Sequence, residues 1–189
     1  SIAIKQFIKK KNIWFERFVC FRNNNQTSFM EKKFNMKNYE KKINLRISDN
    51  QNFIEYSEGG VNYLKDISKI IKINSGGILI IDYGYFEKKM KNTLQAIFKH
   101  QYSNVLKNIC NSDITHNINF KLFQKVTKEL GGLKNNLTTQ RKFLIKMGIN
   151  ERAKIISKNK SFLKKADIYY RVKRLIDDKQ MGNLFKVML

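Results

Sequence analysis

The 189-residue chain contains no proline, two cysteines, two histidines, nine glycines and a single tryptophan. Cys20 and Cys110 lie far apart and outside any CxxC spacing, which excludes a disulfide framework and leaves no thiolate pair for zinc. Neither His100 nor His116 has a carboxylate or thiol at a ligand spacing, so no metal site is expected. No apolar run approaches the roughly 18–20 residues needed to cross a bilayer, and no signal-type apolar stretch opens the chain. A GxSxG elbow is absent and Cys20 falls in an apparent core strand, so neither Ser-His-Asp nor Cys-His catalysis has support. The pairs Gly59-Gly60, Gly76-Gly77 and Gly131-Gly132 read as helix punctuation; none forms GxGxxG or a Walker loop, so no phosphate cradle is visible.

What remains is enough for one core. Hydrophobic residues make up 42% and aromatics 12%, which offsets the entropy of ordering the chain and excludes disorder throughout. The 38 Lys and Arg against 15 Asp and Glu give a net charge of +23. Of those cations 31 are Lys, and Lys, Ile and Asn together fill 77 positions. All three have A/T-rich codons, whereas proline, with C-rich codons, is missing where average usage of about 5% would give roughly nine. Base composition acting on tolerant surface positions therefore accounts for most of the charge. Only seven residues are Arg, the better instrument for phosphate and base edges, so nucleic acid is not the expected partner. A basic nucleic-acid-binding module stays as an alternative, and it predicts binding that weakens steeply with salt.

Residues 1–52 read as a β-rich segment. Phe15, Val19 and Phe21 alternate with Glu16, Phe18 and Cys20 in a strand rhythm, residues 22–28 form a polar turn, and residues 29–34 return as a partner strand. The Lys-rich stretch 31–42 reads as a solvated loop or hairpin, and Ile43, Leu45 and Ile47 alternate again as a strand. From Ser57 the pattern becomes helical, with Val61, Leu64, Ile67, Ile70 and Ile71 on one face, Ser57 as cap and Glu58 in the first turn. The helix stops at Asn74-Ser75-Gly76-Gly77. Ile78, Leu79, Ile80 and Ile81 then form the kind of unbroken apolar run that marks a strand buried on both faces of a parallel sheet. Further helices are expected at residues 120–130, after Thr138 or Thr139, from Asn150, and from Ser161, the last burying Phe162, Ala166, Tyr169, Val172 and Ile176. A short final strand occupies residues 184–189. Residues 53–189 thus read as αβ units and a helical region of a layered α/β fold.

Ligands of open α/β sheets bind beyond the carboxyl ends of parallel strands. There Asp82, Tyr83, Gly84 and Tyr85 bring a carboxylate, two phenols and a glycine that permits close backbone approach. Asp82 could equally cap the next turn. A second cluster, Ser112-Asp113-Ile114-Thr115-His116-Asn117-Ile118-Asn119-Phe120, supplies small polar groups before a helix; Asp113, Thr115 and His116 could join a pocket, while Asn117 or Asn119 suits capping.

These pieces occur in an order that resembles the MidA family of class I S-adenosylmethionine-dependent methyltransferases, whose mitochondrial members are complex I assembly factors. The resemblance runs through Ile4-Lys5-Gln6-Phe7, Trp14-Phe15-Glu16-Arg17, Glu55-Tyr56-Ser57, GGILIIDYGY from Gly76, Thr93-Leu94-Gln95-Ala96 with His100, and SDITHNINF from Ser112. It continues through Thr139-Gln140, Phe143-Leu144, Met147-Gly148-Ile149, Arg152, Met181-Gly182 and Phe185-Lys186-Val187. The chain departs from the family at Glu58, where proline is common, and at Ile109-Cys110-Asn111, where P-G is common; both fit a proline-free composition.

The resemblance implies the C-terminal half of a Rossmann-like methyltransferase fold, with an antiparallel β-rich N-terminal segment. The S-adenosylmethionine loop of form E-L-G-x-G-x-G would lie upstream of Ser1, and residues 1–189 would be the C-terminal part of one domain lacking its cofactor-binding half. Asp82, Tyr83 and Asp113 would be catalytic, with Gly84, Tyr85, Thr115, His116, Phe120 and Gln140 bordering the acceptor. The implied reaction is protein arginine N-methylation linked to complex I assembly, with a complex I subunit as protein substrate. The implied setting is the cytoplasm of a bacterium with an AT-rich genome, or the mitochondrial matrix of a eukaryote. A non-catalytic assembly protein that keeps the fold is the second alternative.

Overall fold

A computed structural model describes residues 2–22 and 26–189. Strands β1 (Lys5–Lys10), β2 (Ile13–Arg22) and β3 (Gln26–Phe34) form an antiparallel meander. Residues 23–25, at the centre of the expected polar turn, lie outside the described residues. Trp14 is buried, but Val19 and Phe21 are exposed: the far half of the β2–β3 hairpin reaches beyond the core, and Cys20 with it is only half-buried.

Helix α1 (Met36–Ile43) replaces the expected loop. Met36, Tyr39 and Ile43 recur at three and four positions among the lysines and are all buried, a narrow stripe that the Lys content hides. Asn35 caps its start and Asn44, with φ 51°, closes it in the left-handed conformation. The strand expected at Ile43, Leu45 and Ile47 does not form, although these three are buried and Asn44 and Arg46 exposed. The Glu40 carboxylate takes the amides of Ile47 (2.6 Å) and Ser48 (2.7 Å), so those donors are satisfied without a ladder. Strand β4 (Phe53–Tyr56) then pairs antiparallel with β1, completing the order β3-β2-β1-β4.

Helix α2 (Glu58–Asn74) begins as its cap predicts: Ser57 Oγ accepts the Gly60 amide at 3.1 Å. It buries Val61, Leu64 and Ser68, while Ile67 and Ile70 are exposed. The core gathers Phe7, Trp14, Ile54 and Tyr56 from the first sheet, Tyr39 and Ile43 from α1, and Val61 and Leu64 from α2. Aromatic contacts organise it, with ring centroids 4.7 Å apart for Phe7 and Phe34 and 5.9 Å for Tyr39 and Tyr56.

Strand β5 (Ile80–Tyr85) follows. A small sheet of β6 (Gln95–Phe98), β7 (Gln101–Ser103) and β8 (Asp113–Thr115), in the order β7-β6-β8, interrupts the chain before β9 (Ile118–Asn119) and α3 (Phe120–Glu129). The remainder is β10 (Leu137–Thr139), α4 (Gln140–Lys146), α5 (Ile149–Ser157), α6 (Phe162–Ile176), α7 (Met181–Leu184) and β11 (Phe185–Met188). The second sheet has the order β10-β11-β5-β9: β5 is antiparallel to β11 and parallel to β9.

Three expectations change here. The apolar run enters a strand that is not buried on both faces: Ile81, Asp82 and Tyr83 are all exposed, although the Tyr83 ring centroid lies 4.1 Å from that of Phe185. Helix α5 starts before Asn150, its N-cap being Gly148 at φ 78°, a conformation most residues resist. Helix α6 forms where expected but buries none of its residues; α4, α5 and α7 pack on it, and Phe162 at its start is 83% exposed.

Candidate functional site

Strand β5 delivers Asp82, its third residue, and Tyr83 and Tyr85 from its C-terminal half to a cleft of about 280 Å³. Thr115, His116, Asn117, Ile118 and Asn119 line it from the β8–β9 segment, Leu122 and Phe123 from α3, Glu55, Ser57 and Gly60 from the β4–α2 junction, and Ile2 and Ile4 from the start of the chain. Two hydrogen bonds hold that leading segment: Ser57 Oγ donates to the Ala3 carbonyl at 2.9 Å, and His116 Nε2 lies 3.3 Å from the Ile2 carbonyl. A carbonyl only accepts, so this contact requires the proton on Nε2.

Five of the residues singled out in the sequence, Asp82, Tyr83, Tyr85, Thr115 and His116, therefore meet in one place. Asp82 is exposed at the rim, and its Oδ1 accepts the Tyr83 amide at 2.7 Å. Tyr85 is buried; its hydroxyl accepts the Lys91 amide at 3.2 Å, and burial raises its pKa, so it is a neutral phenol at physiological pH. The Thr115 hydroxyl accepts from Gln95 Nε2 at 3.1 Å.

Four do not line the cleft. Gly84 pairs with Ile118 in the parallel ladder, and a Cβ there would collide with the Ile118 carbonyl and the Phe120 ring. Gly84 thus lets β9 and α3 approach, and Phe120 is a fully buried packing partner beneath the site. Asp113 sits on β8 opposite Ile97, exposed and away from the cleft lining. Gln140 is buried at the start of α4, where its Nε2 donates to the Leu175 carbonyl at 2.9 Å; beside it Arg141 donates to the Ile176 carbonyl at 2.9 Å. Both satisfy orphan carbonyls in the last turn of α6.

Glu55 was not singled out for chemistry, yet it is 7% exposed and lines the cleft. Its Oε1 accepts from Gln6 Nε2 (2.8 Å), the Thr93 amide (3.0 Å) and the Leu94 amide (3.2 Å), and its Oε2 from the Thr93 hydroxyl (2.5 Å). The Asn117 amide in turn donates to that hydroxyl at 3.0 Å. Oε2 keeps capacity for another donor. The available signal was a lone acid inside the apolar strand Phe-Ile-Glu-Tyr.

The glycine pairs offer no cofactor cradle. A Cβ on Gly59 would meet Ile2, one on Gly131 would meet Ser68, and Gly76 and Gly77 face open space. Among the described residues no three His, Cys, Asp or Glu side chains gather as a metal site, and no helix is long and apolar enough to cross a membrane.

The family model described as "Putative S-adenosyl-L-methionine-dependent methyltransferase" matches residues 1–138. The mitochondrial protein arginine methyltransferase NDUFAF7 of Danio rerio is 29% identical over 134 residues, covering 69% of this chain and 30% of that protein. NDUFAF7 of Xenopus tropicalis is 25% identical over 70% of the chain and 31% of its own length. A crystal structure from Burkholderia thailandensis superposes with a TM-score of 0.76 at 20% identity, over 98% of this chain and 51% of that one. Another from that organism, bound to S-adenosyl-homocysteine, gives 0.74 at 20% identity over 98% and 49%. The chain thus spans under a third of the curated relatives and about half of these structures.

Proposed function

Because the chain belongs to this S-adenosyl-L-methionine-dependent methyltransferase family, we propose that it forms the acceptor-side wall of a protein arginine methyltransferase. The observation that carries this reading is the meeting of two carboxylates, Asp82 and Glu55, in one cleft alongside β5. A guanidinium is a planar fork of donors, and paired carboxylates both orient it and favour the loss of a proton as its nitrogen takes a methyl group. Asp82 presents its carboxylate at the rim, Glu55 offers the spare capacity of Oε2 at depth, and Tyr83 and Tyr85 give the walls against which an arginine stem lies.

The glycine pairs among the described residues punctuate helices and do not fit as a cradle for the methyl donor, so the cleft residues are read as facing the acceptor. Asp113 lies outside the cleft lining, so no contact with the acceptor is proposed for it. The acceptor read here is a protein arginine, as in the names of the mitochondrial relatives, and a complex I subunit is the protein that the family resemblance implies.

The test is Asp82→Asn in the complete enzyme. Turnover is expected to fall by about 10²-fold or more with cofactor affinity, measured by calorimetry, unchanged. Equal loss of both, or loss of neither, would contradict the assignment.

A further inference from the structure

The connection between α5 and α6 carries the most exposed apolar pair of the chain outside its cleft. Phe162 is 83% and Leu163 78% exposed at the first two positions of α6, and Ile155, near the end of α5, is 65% exposed. Lysines surround them: residues 146–165 hold seven cations, six of them Lys, against Glu151 as the one acid. Lys160, Leu163, Lys164, Asp167 and Ile168 border one shallow depression. The acid of that depression, Asp167, is paired with Arg171 at 2.9 Å.

We propose that this helical corner docks on an anionic lipid surface, Phe162 and Leu163 entering the acyl boundary and the flanking lysines meeting the headgroups. Two adjacent apolar side chains at the tip of a turn are convex; they suit a deformable medium better than the flat face of a folded partner. Lysine stems lie along apolar material while their ammonium groups reach a charged interface. Point charges answer a layer of headgroups, which demands no bidentate geometry, and the positive N-terminal end of α6 adds to them. A second copy of the chain is the weaker occupant, because it brings the same positive charge to the same place. Nucleic acid would use the lysines but leave the apolar pair without a role.

The test is flotation of the chain with vesicles of pure phosphatidylcholine and with vesicles containing one quarter phosphatidylglycerol. Binding to the anionic vesicles only is expected, falling at least about tenfold in Phe162→Ser with Leu163→Ser and in Lys164→Glu with Lys165→Glu. All four positions are exposed, so circular dichroism should confirm an unchanged fold. Absence of vesicle binding, equal binding to both compositions, or undiminished binding by the Phe162/Leu163 variant overturns the proposal. So does dimerisation by light scattering that the same variant abolishes, or competition for the lysines by duplex RNA with the variant still bound.

Discussion

Glu55 and Thr93 are joined twice: the carboxylate accepts both the hydroxyl and the amide of the threonine, at 2.5 and 3.0 Å. The same hydroxyl accepts the Asn117 amide, so one buried acid holds together β4, the segment before β6 and the segment that lines the cleft. Glu55→Ala strips four donors of their acceptor. A loss of about 2 kcal/mol or more is expected in urea denaturation, with Thr93→Val losing less. A stability of Glu55→Ala equal to the parent would show that water replaces the carboxylate at no cost.

At Gly84 the constraint is steric. A methyl group would press on the Ile118 carbonyl and the Phe120 ring, both fixed by backbone or core packing. Gly84→Ala should cost about 1–3 kcal/mol and separate β5 from β9, read as faster hydrogen exchange at Ile118 and Asn119.

Alkaline pH should unfold the protein through its core phenols. Burial, reinforced by the charge of Glu58, raises the Tyr56 pKa from 10.0 to about 12, and burial raises Tyr39 as well. A raised folded-state pKa means that the native fold favours the neutral phenol. Its contribution is complete below pH 10 and disappears as the pH climbs through about 12. The tyrosinate absorbance of Tyr39 and Tyr56, isolated as the difference from Tyr39→Phe and Tyr56→Phe, should therefore rise together with loss of structure, not before it. The Tyr39 hydroxyl is buried with no hydrogen-bond partner among the described residues, so Tyr39→Phe should be neutral or stabilising by about 1 kcal/mol.

Asp82→Asn and Asp113→Asn should part company in the complete enzyme. The first is expected to lower turnover steeply; the second, on β8 and outside the lining, by less than about threefold. Comparable losses in steady-state assays would return Asp113 to the site.

Local chemistry was legible wherever neighbours in sequence decide it. Ser57 capping α2 and the helix ahead of Gly131 follow from spacing of a few residues, whereas the apolar run at Ile78 announced β5 two residues early. The strand starts at Ile80 and holds Asp82 and Tyr83 within it, paired with Lys186 and Phe185, not beyond its end. The helix at Met36 was hidden because its three buried residues are separated by lysines, and the apparent strand at Leu45 because alternating burial does not require a ladder when a side chain takes the amides. Glu55 and Gln140 were misjudged for one reason. Each acts on groups 35 or more positions away, and no local pattern distinguishes a carboxylate or amide that caps distant backbone from one that meets a substrate.

The hold of Ser57 and His116 on the leading segment has a kinetic corollary. Those bonds close intervals of 54 and 114 residues, so the rim at Ile2 and Ile4 cannot assemble until most of the topology is in place. Contacts of such span carry the largest loop-closure entropy and form late. Refolding should thus restore helicity and the aromatic cluster first and a ligand-competent hollow last, which makes an early compact species one that is folded by spectroscopy and still empty-handed.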